Sequence, residues 1–262
     1  MNINDLKNKQ VNGEKLAMLT CYDYSSARIM NESEIDMILV GDSAAMVMHG
    51  ESSTIPMDVT RMQQHVSAVV KGAPNKFVVA DMPFLSFRQS LDHSLQAVKA
   101  FMQAGAHAIK LEAVDGHEAL IKHIVQSGIP VMGHVGLTPQ FVNQFGGFKV
   151  QGKDQNSDQK IMADVQKLQE LGCFSVVLEC VPADLASRVT AESDLITIGI
   201  GAGREVDGQV LVMHDMLGYP SSFNPKFVRR YLQTEHLFKE AFNQYAQDVR
   251  KGNFPGEQES YS

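Results

Sequence analysis

Residues 76–112 read KFVVADMPFLSFRQSLDHSLQAVKAFMQAGAHAIKLE. Two short apolar runs, at residues 76–80 and 108–111, flank a segment at residues 90–105 in which apolar side chains recur at helical spacing. This strand–helix–strand order is typical of a parallel βαβ unit. An acidic residue follows each run directly. The stretch therefore predicts a parallel sheet with a carboxylate at the end of two successive strands.

The same alternation of apolar runs and helical segments continues from residue 16 to about residue 216. The chain of 262 residues allows about 33 residues for each of eight strand–helix units, the usual size of such a repeat. Strands are predicted at residues 16–20, 37–40, 76–80, 108–111, 130–133, 174–178, 195–198 and 209–213. Helices are predicted between them at residues 60–72, 90–105, 116–128, 158–172 and 182–193.

Eight consecutive strand–helix units favour an α/β fold whose strands close into a (β/α)8 TIM barrel. The alternative is a doubly wound open sheet, which normally carries a GxGxxG motif after its first strand. In this chain Cys21-Tyr22-Asp23 follows the first predicted strand instead. The barrel is therefore the expected fold.

One domain spanning residues 1–262 is predicted, because no Pro/Ser-rich or low-complexity linker divides the chain. Residues 227–252 are predicted as a C-terminal extension of one or two helices. Residues 253–262 are polar without periodicity and are predicted to fray. The polar insertion at residues 152–157 follows the fifth predicted strand, where a barrel carries its functional loops.

Composition and charge exclude several classes of protein. With 30 Asp and Glu against 23 Lys and Arg, the net charge is −7, so the chain lacks the basic surface of a sequence-independent nucleic-acid binder. No run approaches the roughly 18 apolar residues of a membrane span. Three cysteines without CxxC spacing argue against a disulfide framework and against a zinc site. A soluble, cytoplasmic protein that binds neither nucleic acid nor membrane is expected.

Ionisable side chains lie at the C-terminal ends of five of the predicted strands. They are Asp42, Asp81, Glu112, His134 and Glu179, with Ser43 next to the first. Because the C-terminal ends of the strands form one face of a barrel, these residues are expected to converge on one opening, called the cup below. A carboxylate at a strand end can instead cap the next helix, but Glu is a poor cap and these helices begin several residues later.

Asp42, Asp81 and Glu112 follow neighbouring strands, whose backbones lie about 4.8 Å apart in a sheet. Crowded carboxylates repel one another unless they share a cation, and oxygen ligands suit Mg²⁺ or Mn²⁺. Lys110 lies two residues before Glu112 and therefore on the same strand face. A metal site with an ammonium group beside it, suited to an anionic substrate, is predicted here.

Glu179 follows the sixth strand, across an eight-stranded barrel from the second. Its apolar neighbours Leu178 and Val181 predict a poorly hydrated carboxylate, which makes a competent base near neutral pH. A metal on one side of the cup and a base on the other predict chemistry in which a chelated carbonyl compound loses an α-proton.

Two further features have open roles at this stage. His134 is either a polar contact in the cup or a buried structural histidine with a satisfied hydrogen bond. Residues 199–203 (GIGAG) form a tight turn, a close approach to a ligand or a phosphate site after the seventh strand. Arg204 and Asp207, beside this segment, are equally ambiguous.

Eight motifs occur in one order along the chain. They are LTCYD at residues 19–23, VGDS at 40–43, VVADMPF at 78–84, QAGAHAIKLE at 103–112, GHVGLTPQ at 133–140, GGFKVQG at 146–152, LECVP at 178–182 and IGIGAGREVDGQVLVMHD at 198–215. Together they resemble the ketopantoate hydroxymethyltransferase (3-methyl-2-oxobutanoate hydroxymethyltransferase) family. The family is a (β/α)8 barrel related to the phosphoenolpyruvate-using enzymes, so the resemblance implies the fold that the strand–helix pattern predicts.

The resemblance also implies an activity, transfer of a hydroxymethyl group from 5,10-methylenetetrahydrofolate to 3-methyl-2-oxobutanoate in pantothenate biosynthesis. The products are 2-dehydropantoate and tetrahydrofolate. The implied Mg²⁺ ligands are Asp42 and Asp81, with Glu112 in or next to the coordination shell. The implied 2-oxoacid contacts are Asp42, Ser43, Asp81 and Lys110, and the implied proton acceptor is Glu179. The family assembles as a homodecamer, so self-association is implied as well.

Three other hypotheses stay open at the level of sequence. The first is a metal-dependent lyase or mutase of the same barrel superfamily, which usually supplies a catalytic cysteine loop. The second makes Lys110 a Schiff-base nucleophile. The third is a non-catalytic barrel that keeps only binding or assembly, in which the aromatic positions Phe238, Phe242 and Tyr245, spaced for one helix face, seal an interface or cover the barrel.

Overall fold

The computed structural model describes residues 1–147, 149–220 and 225–261 of the chain. It divides into two compact units, Met1–Val212 and Met213–Ser262. That residues 1–262 form a single domain stays a prediction. Within the described residues no helix is both long and apolar enough to cross a membrane.

The first unit is a closed barrel of eight parallel strands that pair in sequence order. The strands are β1 (Leu16–Thr20), β2 (Met37–Val40), β3 (Phe77–Asp81), β4 (Ala108–Lys110), β5 (Val131–Gly136), β6 (Ser175–Glu179), β7 (Ile196–Ile200) and β8 (Gly208–Leu211). β8 pairs with β1, where Met18 lies opposite Val210, and this pairing closes the barrel. The predicted (β/α)8 barrel is confirmed.

Helices connect the strands and cover the outside of the barrel. Those of the first unit are α1 (Ile3–Val11), α2 (Tyr24–Asn31), α3 (Ala44–Val47), α4 (Val59–Gly72), α5 (Leu91–Gln103), α6 (Glu118–Gln126), α7 (Val142–Phe145), α8 (Gln155–Glu170) and α9 (Ala183–Glu192). The side chains of Asp58 and Ser90 cap the first turns of α4 and α5. α4 buries Met62, Val66 and Val69, the i, i+4, i+7 spacing of a helix packed on a core.

The interior of the barrel is filled by apolar side chains from all eight strands. They are Leu16, Met18, Met37, Leu39, Phe77, Val79, Ala108, Met132, Phe174, Val177, Ile196, Ile198 and Val210. This barrel is therefore a packed core, and a ligand finds room only at its ends.

α1 closes the N-terminal end of the barrel. Its Leu6 belongs to the same buried cluster as the strand side chains. Lys9 pairs with Asp36, just before β2, at 2.7 Å, and Gln10 donates to the carbonyl of Leu195, just before β7. The polar composition of this segment does not indicate a helix, because only one narrow stripe of α1 is buried. The opposite end, where the predicted site residues lie, is left for function.

Several element boundaries differ from the predictions for physical reasons. β3 extends one residue further, because Asp81 pairs in register with Lys110. β5 continues to Gly136, which pairs with Glu179 of β6. The prediction of a polar loop over residues 152–157 is wrong for its second half. The side chain of Asp154 caps α8, and the helix begins at Gln155.

The second unit contains α10 (Met213–Leu217) and α11 (Thr234–Lys251). The extension predicted at residues 227–252 is thus a single helix that begins at Thr234, whose hydroxyl donates to the carbonyl of Leu217 at 2.5 Å. The ring of Tyr219 packs edge-on against Phe238 at 5.7 Å. The tail predicted to fray includes a short 3-10 turn at Glu257–Glu259, and Ser262 lies outside the described residues.

Candidate active site

Three predicted carboxylates lie together at the C-terminal ends of β2, β3 and β4. Asp42, Asp81 and Glu112 are each at most 4% exposed. The strands that carry them are parallel neighbours, and the backbone N–H of Asp42 donates to Oδ2 of Asp81 at 3.3 Å. The structure therefore brings the three residues into one buried acidic cluster, as their places at the strand ends predict.

Lys110 lies inside this cluster. Its Nζ donates to Oδ1 of Asp81 at 2.7 Å, and both side chains are buried. Burial lowers the pKa of Lys110, but the charges of Asp81, Glu112 and Asp42 outweigh burial and raise the pKa above its ordinary value. The group therefore stays an ammonium ion. A protonated amine is a poor nucleophile, which weighs against Lys110 forming a Schiff base.

The negative charges of the clustered carboxylates repel one another. Burial raises the pKa of Asp42 well above its usual range, and the charges of Asp81 and Glu112 raise it further. Burial also raises the pKa of Asp81 against the opposing charge of Lys110. The positive charges of Lys110 and His134 offset part of the repulsion among the three carboxylates, and a divalent cation would relieve the rest.

The donor set fits a divalent cation that prefers oxygen ligands. In the parts of the chain that the structure describes, no three His, Cys, Asp or Glu side chains are arranged to hold a metal ion by themselves. Mg²⁺ commonly needs only one or two protein carboxylates, because waters and substrate oxygens complete its octahedron. Asp42 and Asp81 provide such a pair, whereas Glu112 accepts a hydrogen bond from the backbone of Gln140.

Gln140 is a site residue to which the sequence assigned no role. It is buried, and its Nε2 donates to Oδ2 of Asp42 and to the carbonyl oxygen of Met82, at 2.9 Å each. Its backbone N–H donates to Oε2 of Glu112 at 3.0 Å. The search for ionisable residues at strand ends does not find a neutral amide. The signal that could have identified Gln140 is its place in the GLTPQ segment of a family motif.

His134 lies between the acidic cluster and Glu179. Its Nε2 is 3.2 Å from Oε2 of Glu179 and its Nδ1 is 3.6 Å from Oε1 of Glu112, which are ion-pair contacts without the alignment of hydrogen bonds. Burial and the charge of Lys110 lower the pKa of His134, but the two carboxylates outweigh them and raise it to about 9. The imidazole is therefore a cation near neutral pH and joins the two sides of the cup.

Glu179, at the end of β6, is held by backbone hydrogen bonds to the ends of the two neighbouring strands, β5 and β7. The N–H of Leu137 donates to the carbonyl of Glu179 at 2.8 Å, and the N–H of Cys180 donates to the carbonyl of Ile200 at 2.8 Å. Gly136 has φ +91, and a Cβ on it would lie 2.3 Å from the carbonyl oxygen of Glu179. The side chain of Glu179 is 15% exposed, which makes it more open than the buried acidic cluster.

Ser43 lies at the end of β2 beside Asp42. Its Oγ is 2.8 Å from the hydroxyl of Tyr22, a side chain that is fully buried after β1. A Cβ on Gly41 would lie 2.9 Å from the same Oγ, so the backbone passes close to it. The Ser43 hydroxyl is therefore held in place at the edge of the cup.

The cysteines do not have the properties of a catalytic loop. Cys21, Cys173 and Cys180 are all free thiols. Burial raises the pKa of Cys21 to about 11 and the pKa of each of the other two to about 12. All three are therefore protonated near neutral pH, and the thiolate is the reactive form.

The glycine-rich segment at residues 199–203, where β7 ends, packs against a neighbouring helix. The charged residues beside it are paired with other side chains. A Cβ on Gly203 would lie 2.5 Å from the Cβ of Ala183, so this glycine allows a loop to pack closely on α9. The side chain of Arg204 is 94% exposed and pairs with Glu205. Asp207 accepts hydrogen bonds from Thr197 and lies before β8, at the opposite end of the barrel from the cup.

A family model for ketopantoate hydroxymethyltransferase matches residues 1–257. The chain belongs to the ketopantoate hydroxymethyltransferase family. The 3-methyl-2-oxobutanoate hydroxymethyltransferase of Bdellovibrio bacteriovorus is 54% identical to it over 258 residues, 98% of each chain. The enzyme of the same name from Francisella tularensis subsp. tularensis is 49% identical over 255 residues, 97% of this chain and 96% of the relative. The ketopantoate hydroxymethyltransferase resemblance carried by the motifs is thus confirmed.

Solved structures share the fold of this ketopantoate hydroxymethyltransferase family member at low identity. Phosphonopyruvate hydrolase in complex with oxalate and Mg²⁺ matches with a TM-score of 0.64 and 10% identity, covering 100% of this chain and 92% of that one. A 2,3-dimethylmalate lyase of the PEP mutase/isocitrate lyase superfamily matches with a TM-score of 0.60 and 13% identity, covering 99% and 91%. These matches show that the barrel fold is shared and show nothing about substrate.

Proposed function

We propose that this protein transfers a hydroxymethyl group from 5,10-methylenetetrahydrofolate to 3-methyl-2-oxobutanoate, giving 2-dehydropantoate and tetrahydrofolate, the first committed step of pantothenate biosynthesis. The observation that carries the proposal is the placement of two kinds of carboxylate in one cup. Asp42 and Asp81 lie in a crowded acidic cluster, and Glu179 stands apart from them behind the imidazole of His134. The names of the full-length relatives support the same reaction.

Asp42 and Asp81 would hold a Mg²⁺ ion in the proposed reaction, with Glu112 beside the coordination shell. When bound, Mg²⁺ would supply Lewis-acid chemistry that polarises the 2-oxo group of the substrate and makes the C3 proton more acidic. Phosphonopyruvate hydrolase, which shares this fold, was solved in complex with Mg²⁺ and oxalate, a chelating dicarboxylate. The proposal likewise combines Mg²⁺ with a small carboxylate-bearing ligand. Oxygen donors of this kind suit Mn²⁺ as well.

Lys110 and Ser43 would orient the 2-oxoacid. The Lys110 ammonium, held against Asp81 at 2.7 Å, provides positive charge to the substrate carboxylate. The Ser43 hydroxyl, fixed at 2.8 Å from the hydroxyl of Tyr22, is placed to donate a hydrogen bond at the edge of the cup. Asp42 and Asp81 complete the proposed set of substrate contacts.

Glu179 would be the general base. Its carboxylate accepts the proton from C3 of 3-methyl-2-oxobutanoate, and Nε2 of His134, 3.2 Å from Oε2 of Glu179, holds the carboxylate at this side of the cup. The electron pair left at C3 then forms the bond to the one-carbon unit of 5,10-methylenetetrahydrofolate. Water adds to that methylene carbon as its two C–N bonds break and supplies the hydroxyl oxygen. Its two protons leave on the two nitrogens of tetrahydrofolate, and the proton taken up by Glu179 goes to the new hydroxyl group.

Deuterium exchange at C3 of 3-methyl-2-oxobutanoate, followed by NMR in D2O without folate, tests the base and the cation together. We expect exchange in the wild-type protein that stops on addition of EDTA and returns with Mg²⁺. Glu179→Gln should lower the exchange rate by roughly 100-fold or more, the range for loss of a general base. Glu192→Gln, on the outer helix α9, is the matched control and should exchange at the wild-type rate.

Exchange in Glu179→Gln at the wild-type rate would remove Glu179 as the base.

Two other hypotheses are less well supported by the same site. A lyase or mutase that depends on a cysteine loop needs a reactive thiol, and burial raises the pKa of all three thiols. A Schiff base needs a neutral Lys110, and three carboxylates keep that amine protonated.

Self-association is part of the proposal, with a homodecamer as the expected assembly and the cytoplasm as the expected location. α11 has 18 residues, and Thr234 is its one buried residue in the described chain. The exposed large apolar side chains along this helix are those of Leu237, Phe238, Phe242, Tyr245 and Val249. An exposed apolar helix face of this size usually contacts another protein surface, and a second copy of this chain is the occupant that the family resemblance favours.

A further inference from the structure

Gln140 makes hydrogen bonds to residues at the ends of three neighbouring strands. Nε2 donates to Oδ2 of Asp42, after β2, and to the carbonyl of Met82, after β3, while its backbone N–H donates to Glu112, after β4. Because both partners of Nε2 are acceptors, the orientation of the amide is determined, with its NH2 group toward Asp42. One side chain thus restrains the cluster across 98 residues of sequence.

The local sequence after β5 explains how a glutamine arrives at this position. Gly136 allows the chain to turn at φ +91 against the backbone of Glu179. Pro139 begins a 3-10 turn, Pro139–Phe141, that carries Gln140 over the ends of β4, β3 and β2. The turn is short and its side chain is buried, so the amide position follows from the backbone.

A neutral donor at this position has a physical advantage over a cationic one. Lys or Arg in place of Gln140 would neutralise Asp42 and compete with a metal ion for its charge. An amide instead orients the carboxylate through a hydrogen bond and leaves its negative charge in place. The bond uses Oδ2 of Asp42, so Oδ1 is the oxygen that Gln140 leaves free of this hydrogen bond.

We propose that Gln140 is a positioning residue, which orients Asp42 and Glu112 so that Asp42 and Asp81 present oxygens to a divalent cation. The inference rests on the proposed function, because it concerns the same cation. It predicts that loss of the amide weakens metal binding more than it weakens the fold, since the barrel core lies below the cup and does not include Gln140.

The test measures binding of Mn²⁺ alone, whose free-ion EPR signal disappears on binding, to the full chain. Gln140→Met keeps the length of the side chain and the backbone bond to Glu112 but removes both Nε2 bonds. We expect the Kd for Mn²⁺ to rise about tenfold or more, the effect of losing a hydrogen bond to a charged group. C3 exchange should then need more Mg²⁺ and recover toward wild type at saturating Mg²⁺.

Gln63→Met is the matched control, because Gln63 on α4 also donates from its amide to a backbone carbonyl, that of Ala100, away from the cup. Its Kd for Mn²⁺ should equal that of wild type. An unchanged Kd in Gln140→Met overturns the inference. If that variant does not fold, Gln140→Asn, whose shorter amide does not reach both acceptors, decides by the same criterion. Wild-type protein that neither binds Mn²⁺ nor exchanges deuterium contradicts the proposed function itself.

Discussion

His117 shows how the environment of one residue makes stability depend on pH. Its ring is buried just before α6 and packs against Phe87 at 5.0 Å. Burial, followed by the positive charge of Arg88, lowers its pKa from 6.5 to about 4. Between these two pH values the unfolded chain binds a proton that the folded chain does not. The contribution of His117 to the free energy of unfolding is therefore present above pH 6.5 and is lost as the pH falls toward 4.

We expect His117→Gln to remove this part of the pH dependence, because glutamine does not titrate. A shift of this size corresponds to roughly 3 kcal/mol at most. Urea unfolding of wild type and variant above pH 6.5 and near pH 4 measures it, and the variant should lose less stability on acidification. His123→Gln, an exposed position on the same helix α6, is the control and should follow wild type. Equal losses in all three proteins would contradict the assignment.

The residues of the cup were predictable to different degrees. Asp42, Asp81 and Glu112 come within two residues of the ends of apolar runs, so the strand pattern alone placed them at one end of a barrel. Lys110 was placed beside them by the alternation of side chains along a strand. Gln140 follows no strand, because it reaches the cup through a turn, and its contacts depend on a fold that brings distant strand ends together.

At the scale of elements, the junction of β5 and β6 depends on a glycine. Gly136 and Gly128 both have positive φ, +91 and +81. A Cβ on Gly128 would meet no atom within 4 Å, whereas a Cβ on Gly136 would lie 2.3 Å from the carbonyl oxygen of Glu179. Conformational strain is common to both positions, and the steric clash is specific to the one that supports the proposed base.

Gly136→Ala should therefore destabilise the protein more than Gly128→Ala. We expect a loss of about 1 kcal/mol for Gly128→Ala from strain alone and of about 3 kcal/mol for Gly136→Ala, where the clash adds to it. Urea unfolding measures both variants, and C3 exchange should slow in Gly136→Ala alone because Glu179 moves. Equal losses of stability would show that the close approach of the two strand ends is unimportant.

The glycine-rich segment at residues 199–203, where β7 ends, illustrates how one sequence pattern is compatible with different structures. Glycines at residues 199–203 are compatible with a phosphate site as well as with a packed turn. The structure favours packing, because a Cβ on Gly203 would collide with Ala183 and a Cβ on Gly199 would lie 3.0 Å from Val206. The spacing of the glycines does not distinguish a phosphate site from a packed turn, because both need glycine where another group approaches the backbone closely.

At the scale of the whole molecule, the proposed self-association predicts a change in mass. Phe242 is 67% exposed on the apolar face of α11, so Phe242→Glu places a charge where a second copy would bury an aromatic ring. We expect light scattering after size exclusion to give a multiple of 28.9 kDa for wild type and a smaller assembly for Phe242→Glu.

Gln247→Glu is the matched control, because it adds the same charge to α11 at an exposed position away from the apolar face. Its mass should equal that of wild type. A Phe242→Glu protein with the wild-type mass would show that this face does not hold the assembly together. A wild-type mass of 28.9 kDa would contradict self-association itself.

The sequence by itself determined the barrel and the acidic character of the cup, because strand–helix alternation and the residue after each strand are local patterns. Only the tertiary structure decided how these groups interact. It joined His134 to both Glu112 and Glu179, paired Lys110 with Asp81, and brought Gln140 to Asp42 from 98 residues away. The physical reason is that charge, burial and hydrogen bonding act over a few ångströms in space. Strand register and loop geometry set those distances, and no spacing along the chain encodes them directly.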